Sequence, residues 1–171
     1  VCSSDLFPPA ETLTAGRPLA NLTFAVNHAV SGLEPWSYHG VNLLVHVLAV
    51  LTLFGLVRRT LLLPRLAPRW GRDATGLAGW VALLWGVHPL LTQSVTYLSQ
   101  RTEALMALFY LLTLYGFVRG LHARPRLWHC LAVVACLLGA LCKEIIVTAP
   151  VAVLLCDLAL LGGGPRAALR R

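Results

Sequence analysis

Between Tyr38 and Leu161 the chain alternates five long apolar runs with connections that carry nearly all the charge of that stretch. The runs are Tyr38–Val57, Thr75–Leu91, Ala104–Val118, Leu127–Leu141 and Ile145–Leu161. Several fall short of the ~20 residues that cross a bilayer core. Flanking residues and snorkelling arginines can extend them. Only 12% of residues are charged against 57% hydrophobic, too few charges to cover the surface of a soluble domain this size. The expected fold is an all-α, polytopic transmembrane bundle of about five spans.

The positive charge sorts by connection. With alternating sides, the loop after the first run holds Arg58, Arg59, Arg65, Arg69 and Arg72, the third connection holds Arg119, Arg124 and Arg126, and the tail holds Arg166, Arg170 and Arg171. The opposite side keeps only Arg17, Arg101 and Lys143. Eleven against three is the bias that marks a cytoplasmic face, and it places the C-terminus there. The net charge of +7 therefore reads as membrane orientation, and no nucleic-acid partner is expected. The cysteines form no CxxC pair, which leaves neither a zinc site nor a disulfide framework indicated.

Ahead of the runs, Gly16–Leu33 predicts an amphipathic interfacial helix with Pro18 in its first turn and Leu19, Leu22, Val26, Ala29 or Val30, and Leu33 on one stripe. Asn21, Asn27 and His28 lie off that stripe. Asn21-Leu22-Thr23 fits a glycosylation sequon, read as a chance match. Residues 1–6 match what a sequencing-adapter oligonucleotide encodes and are expected to be non-native. Residues 7–36 are then the end of an outer loop, 37–162 the bundle, and 163–171 a truncated basic cytoplasmic tail.

The polar residues that break this pattern are the candidates for chemistry. His39, Asn42 and His46 share one face of the first run, either as a functional site or as an interhelical hydrogen-bond cluster. His88-Pro89 should break the second helix near its outer end. Arg101 and Lys143, with Arg17, then lie on one membrane face, where fixed cations can clamp a phosphate or act as plain anchors. Lys143 is the lone lysine beside thirteen arginines.

Arg17-Pro18-Leu19, Asn21-Leu22-Thr23-Phe24, Tyr38-His39 with Asn42 and His46, His88-Pro89 with Tyr97 and Arg101, and Lys143-Glu144 with Pro150 and Asp157 occur in that order. The set resembles the membrane part of the GT-C glycosyltransferases, and most closely the protein O-mannosyltransferase-like group that carries tetratricopeptide repeats. The resemblance implies a glycosyltransferase of the bacterial inner membrane that moves a sugar from a polyprenyl-phosphate donor to an acceptor protein or glycan on the outer face. It implies no covalently bound cofactor and leaves metal dependence open. It gives Arg101, Lys143, Glu144, Arg17 and His88 to donor-phosphate binding. The catalytic base is expected upstream, so this piece alone would be inactive, and the repeats are expected downstream. Gln93 stands where relatives often have Glu. A transporter or flippase of a lipid-linked anion, and a non-catalytic membrane scaffold, remain as alternatives.

Overall fold

The computed structural model describes residues 16–122 and 124–161. The adapter-like residues and the basic tail lie outside that range. The described residues form helices joined by short turns, with no strand among them. Helix α1 spans Pro18–Ser31, α2 Pro35–Leu61, α3 the single turn Ala67–Trp70, and α4 Ala74–Gly86. After a turn at Pro89–Leu91 come α5 (Thr92–Thr96), a turn at Leu98–Gln100, α6 (Arg101–Gly120) and α7 (Pro125–Ala140). A turn over Glu144–Thr148 leads into α8 (Ala149–Leu161).

Local chemistry sets these boundaries. Pro stands in the first turn of α1, α2 and α7, where its missing N–H has no helical partner to lose. Gly32 closes α1 at φ +60°, a backbone that glycine adopts without strain. Arg58 and Arg59 sit in the last turn of α2, and α6 carries Glu103 in its first turn and Arg119 in its last; these signs complement the helix dipole.

All five apolar runs become helical, with two shortened. The second stops at Gly86 instead of Leu91, because Pro89 cannot continue it, and the chain bends by 56° between Ala74–Gly86 and Pro89–Thr96. The fifth starts at Ala149 instead of Ile145: Pro150 fits only the first turn of a helix. Among the described residues two helices are long and apolar enough to cross a membrane, 27 residues at Pro35–Leu61 and 23 at Leu98–Gly120, with a third if the bent pair is one span. Helix α7, at 16 residues, and α8, at 13, are shorter. The molecule is an all-α membrane helix bundle.

Helix α6 is the hub, packing on α7 and α2, while α4 packs on α2. Hydrogen bonds fix which ends lie together. The end of α2 meets the ends of α4, α6 and α8 through Arg58 to the Thr75 hydroxyl (3.0 Å), Arg59 to the Tyr115 hydroxyl (3.1 Å) and Arg65 to the Ala159 carbonyl (2.8 Å). This is the arginine-rich end. At the opposite end the Leu19 amide donates to the Leu141 carbonyl at 3.3 Å, fastening α1 beside the end of α7.

Close approach of α6 and α7 depends on Gly116, where a Cβ would lie 3.0 Å from both the Ala132 Cβ and the Trp128 carbonyl oxygen. Gly116→Leu should lower stability by about 1–3 kcal/mol, read as an earlier unfolding midpoint in detergent. Gly79→Leu, at a site with nothing within 4 Å, should leave the midpoint unchanged.

Candidate functional site at the α1 end

The largest fully buried side chain is Arg101, at 0% exposure. It is the first residue of α6 and points back under α1. Its Nε donates to Asn42 Oδ1 at 2.7 Å. Nη2 donates to Asn27 Oδ1 and to the Tyr38 carbonyl, both at 3.0 Å. Nη1 reaches the Thr23 carbonyl at 3.5 Å. The guanidinium lies over the Phe24 ring at 4.3 Å and near the Tyr38 ring at 5.5 Å. One cation thus collects acceptors from α1 and α2 through the planar fork that suits arginine and not lysine. A second layer surrounds it: Asn27 Nδ2 donates to the Ser37 hydroxyl at 2.9 Å and to the Ser31 hydroxyl at 3.1 Å, and the Tyr38 hydroxyl donates to the Gly32 carbonyl at 2.8 Å.

This network orients α1 with its polar side inward. Ala20, Asn21 and Asn27 are buried, while Leu22, Val26, Val30 and Leu33 of the expected apolar stripe are exposed, the last two at 83%. An exposed apolar stripe on a helix bound through its polar face fits a bilayer interface. Burial of Asn21 also closes the sequon.

The polar face of α2 also braces the break between α4 and α6. His39 Nδ1 donates to the Val95 carbonyl at 3.1 Å, Asn42 Nδ2 to the Tyr97 carbonyl at 3.4 Å, and His46 Nε2 to the Gly86 carbonyl at 2.9 Å. His46 also stacks on Trp85, with ring centroids 5.7 Å apart. These carbonyls lie at the last residue of α4 and in the broken segment that follows it, where the regular helical pattern is interrupted. His88, exposed, accepts from the Leu90 amide and caps the turn that Pro89 opens.

Lys143 pairs with Glu103 of α6. Its side chain keeps 17% exposure, and Glu103 keeps 37%. Glu103 also lines a cavity of about 160 Å³ with His46, Trp85, Leu91, Ser94 and Met106. Glu144 is exposed, and Arg17 stands at the N-cap of α1. The expected clamp residues are therefore not one cluster. Arg101 is enclosed by protein, whereas Lys143 is paired with Glu103 and keeps partial exposure. Sequence reasoning missed Asn27 and the Glu103 partner of Lys143. The signal for Asn27 was its place off the apolar stripe with Ser31 one turn on. Among the described residues no group of three or more His, Cys, Asp or Glu is placed to hold a metal ion.

The residues that converge on Arg101 and Lys143 come from widely separated motifs, and known proteins share this stretch of sequence. Mouse protein O-mannosyl-transferase TMTC2 is 38% identical over 120 residues, covering 66% of this chain and 13% of its own. The Drosophila protein O-mannosyl-transferase Tmtc1 is 36% identical over 143 residues, 82% of this chain and 15% of its own. The chain belongs to the protein O-mannosyltransferase-like family. Human protein O-mannosyl-transferase TMTC4, 36% identical over 146 residues, is matched over 75% of this chain and 19% of its own length. The chain thus spans less than a fifth of each of these relatives. No family model and no solved structure matches it. These relatives are animal proteins, and they lend no support to the expected bacterial inner membrane.

Replacing Arg101 should undock α1. Arg101→Leu leaves Asn27, Asn42 and two carbonyls without their donor, a loss of about 3 kcal/mol. Arg101→Lys keeps the charge but not the fork, and should recover only part of it. Limited proteolysis near residues 31–35 in membranes reads both, and wild-type protection in Arg101→Leu would refute the docking role.

Proposed function

We propose that the chain is part of a membrane O-mannosyltransferase that takes mannose from a polyprenyl-phosphate donor and attaches it to a hydroxyl of an acceptor protein at the α1 end of the bundle. The observation that carries this reading is the kinship with proteins named protein O-mannosyl-transferases. In the transfer, the acceptor oxygen bonds to the anomeric carbon and the bond from that carbon to the phosphate oxygen breaks. The phosphate leaves with the electron pair, and the hydroxyl proton passes to a base. No described residue is assigned as that base.

The described residues bind and position. Arg101, with every nitrogen directed to a protein oxygen, holds α1 and the broken segment in place around the site, and is a positioning residue. Lys143 is suited to the donor phosphate because its side chain is partly exposed and the carboxylate it meets, Glu103, keeps 37% exposure. A phosphate at headgroup height can exchange with that carboxylate. The arginine-rich end then faces the cytoplasm, and the α1 end the opposite side, by the positive-inside bias.

In the intact protein, Lys143→Gln should raise the KM for polyprenyl-phosphate mannose at least tenfold with α1 still protected from protease. Glu103→Gln, which frees the ammonium, should not raise it. Equal KM values for wild type and Lys143→Gln would remove Lys143 from donor binding. Absence of mannosyl transfer by the intact wild-type protein would overturn the whole reading.

A further inference from the structure

The small cavity beside the Lys143–Glu103 pair is walled by separate stretches of chain. His46 comes from α2, Trp85 from α4, Ser94 from the broken segment, and Glu103, Met106 and Ala107 from α6. Its volume is about 160 Å³, room for roughly five water molecules or for one pyranose ring with its hydroxyls. The wall is held in place. His46 Nε2 bonds the Gly86 carbonyl at 2.9 Å, and its ring stacks on Trp85 with 18° between the planes. His39 and Asn42, on the same face of α2, hold the Val95 and Tyr97 carbonyls, so Ser94 stands on braced backbone. A cavity formed in advance loses little order when a ligand enters.

The polar residues of the wall keep unused hydrogen-bonding capacity. Among the described residues neither the Ser94 hydroxyl nor the Trp85 indole N–H has a hydrogen-bond partner. With Nε2 donating to Gly86, His46 keeps Nδ1 as an acceptor. One N–H donor, one acceptor nitrogen and one hydroxyl that can act either way match a ligand whose own groups are hydroxyls. Met106 and Ala107 offer apolar surface to the C–H groups of a ring. An acyl chain would displace water and leave the polar groups unmet, which is unfavourable. Glu103 ties this cavity to the lysine: its Oε1 meets Lys143, and the same side chain lines the cavity. A phosphate on Lys143 therefore holds whatever it carries at the cavity's edge.

We propose that this cavity receives the sugar ring of the lipid-linked donor, and that it admits a single ring. The inference rests on the reading of Lys143 as the donor-phosphate ligand. Ser94, Trp85 and His46 meet hydroxyls of the ring, while Lys143 meets the phosphate. Recognition is then divided between two places. The phosphate contact is common to every polyprenyl phosphate, whereas the cavity tells a carrier loaded with a monosaccharide from a spent one. Once the sugar has moved to the acceptor, the bare lipid phosphate keeps only the Lys143 contact and is held less tightly, which favours its exchange for a fresh donor.

The test is equilibrium binding to the intact protein in lipid nanodiscs. Tritiated polyprenyl-phosphate mannose is competed by the unlabelled donor, by bare polyprenyl phosphate and by a polyprenyl-phosphate disaccharide. Wild type should hold the mannosylated lipid about tenfold more tightly than either of the others, the yield of one or two hydrogen bonds. Ser94→Ala should cut that preference about threefold. Ala107→Phe, which fills the cavity, should abolish it. In both variants the affinity for bare polyprenyl phosphate and the protection of α1 from protease should stay at wild-type values. Lys143→Gln should weaken all three lipids alike. Equal affinity of the wild type for loaded and bare lipid overturns the proposal, as does a preference that survives in Ala107→Phe. Disaccharide binding as tight as that of the monosaccharide overturns the one-ring limit. Wild-type binding in Lys143→Gln, with the preference still lost in Ala107→Phe, would remove the phosphate ligand and leave the sugar cavity standing.

Discussion

A guanidinium with no solvent contact is the constraint around which the α1 end is arranged. Moving an unpaired charge out of water is strongly unfavourable, so Arg101 requires acceptors from its neighbours. It finds them in two asparagine side chains and two backbone carbonyls, with two aromatic faces closing the remainder. None of these acceptors is a carboxylate. The arginine therefore keeps its positive charge without an ion pair, in a region where water is scarce. Each acceptor sits on α1 or α2, so satisfying the charge and fixing the relative position of three helices are one event. The broken segment is secured by the next layer, since Asn42 bonds both Arg101 and the Tyr97 carbonyl.

The two ends of the bundle treat positive charge differently. At the loop-rich end Arg58, Arg59 and Arg65 each make a single hydrogen bond near the surface, and Arg69 and Arg119 lie over tryptophan rings. Such contacts suit side chains that mark the membrane boundary. At the α1 end positive charge is scarce and specifically engaged, by Glu103 in one case and by neutral oxygens in the other. That asymmetry separates orientation from binding more sharply than the charge count alone.

Much of the helical layout was legible in the sequence because apolar runs and proline act locally. The break at His88-Pro89 followed from one missing N–H, and the five runs all became helices. What escaped was the register of α1. Its apolar stripe was plain, but a stripe does not say whether protein or lipid covers it, and here the polar face of Asn27 carries the protein contact. The Lys143 partner escaped for a related reason. Glu144 is adjacent in sequence, whereas Glu103 is 40 residues and two helices away, and only the α6–α7 packing brings it close.

The docking of α1 also orders the assembly of the chain. Asn27 and Arg101 are 74 residues apart, and between them lie α2, the whole arginine-rich loop and the bent α4–α5 segment. During synthesis α1 emerges well before the residue that holds it. Its exposed leucines and valines can rest on the membrane surface in the meantime, and a polar underside costs nothing while water is still present. Insertion of α6 then brings the arginine beneath a helix already lying in the right plane, so closure of the Arg101 network waits for the third long segment and reports that it has found its place.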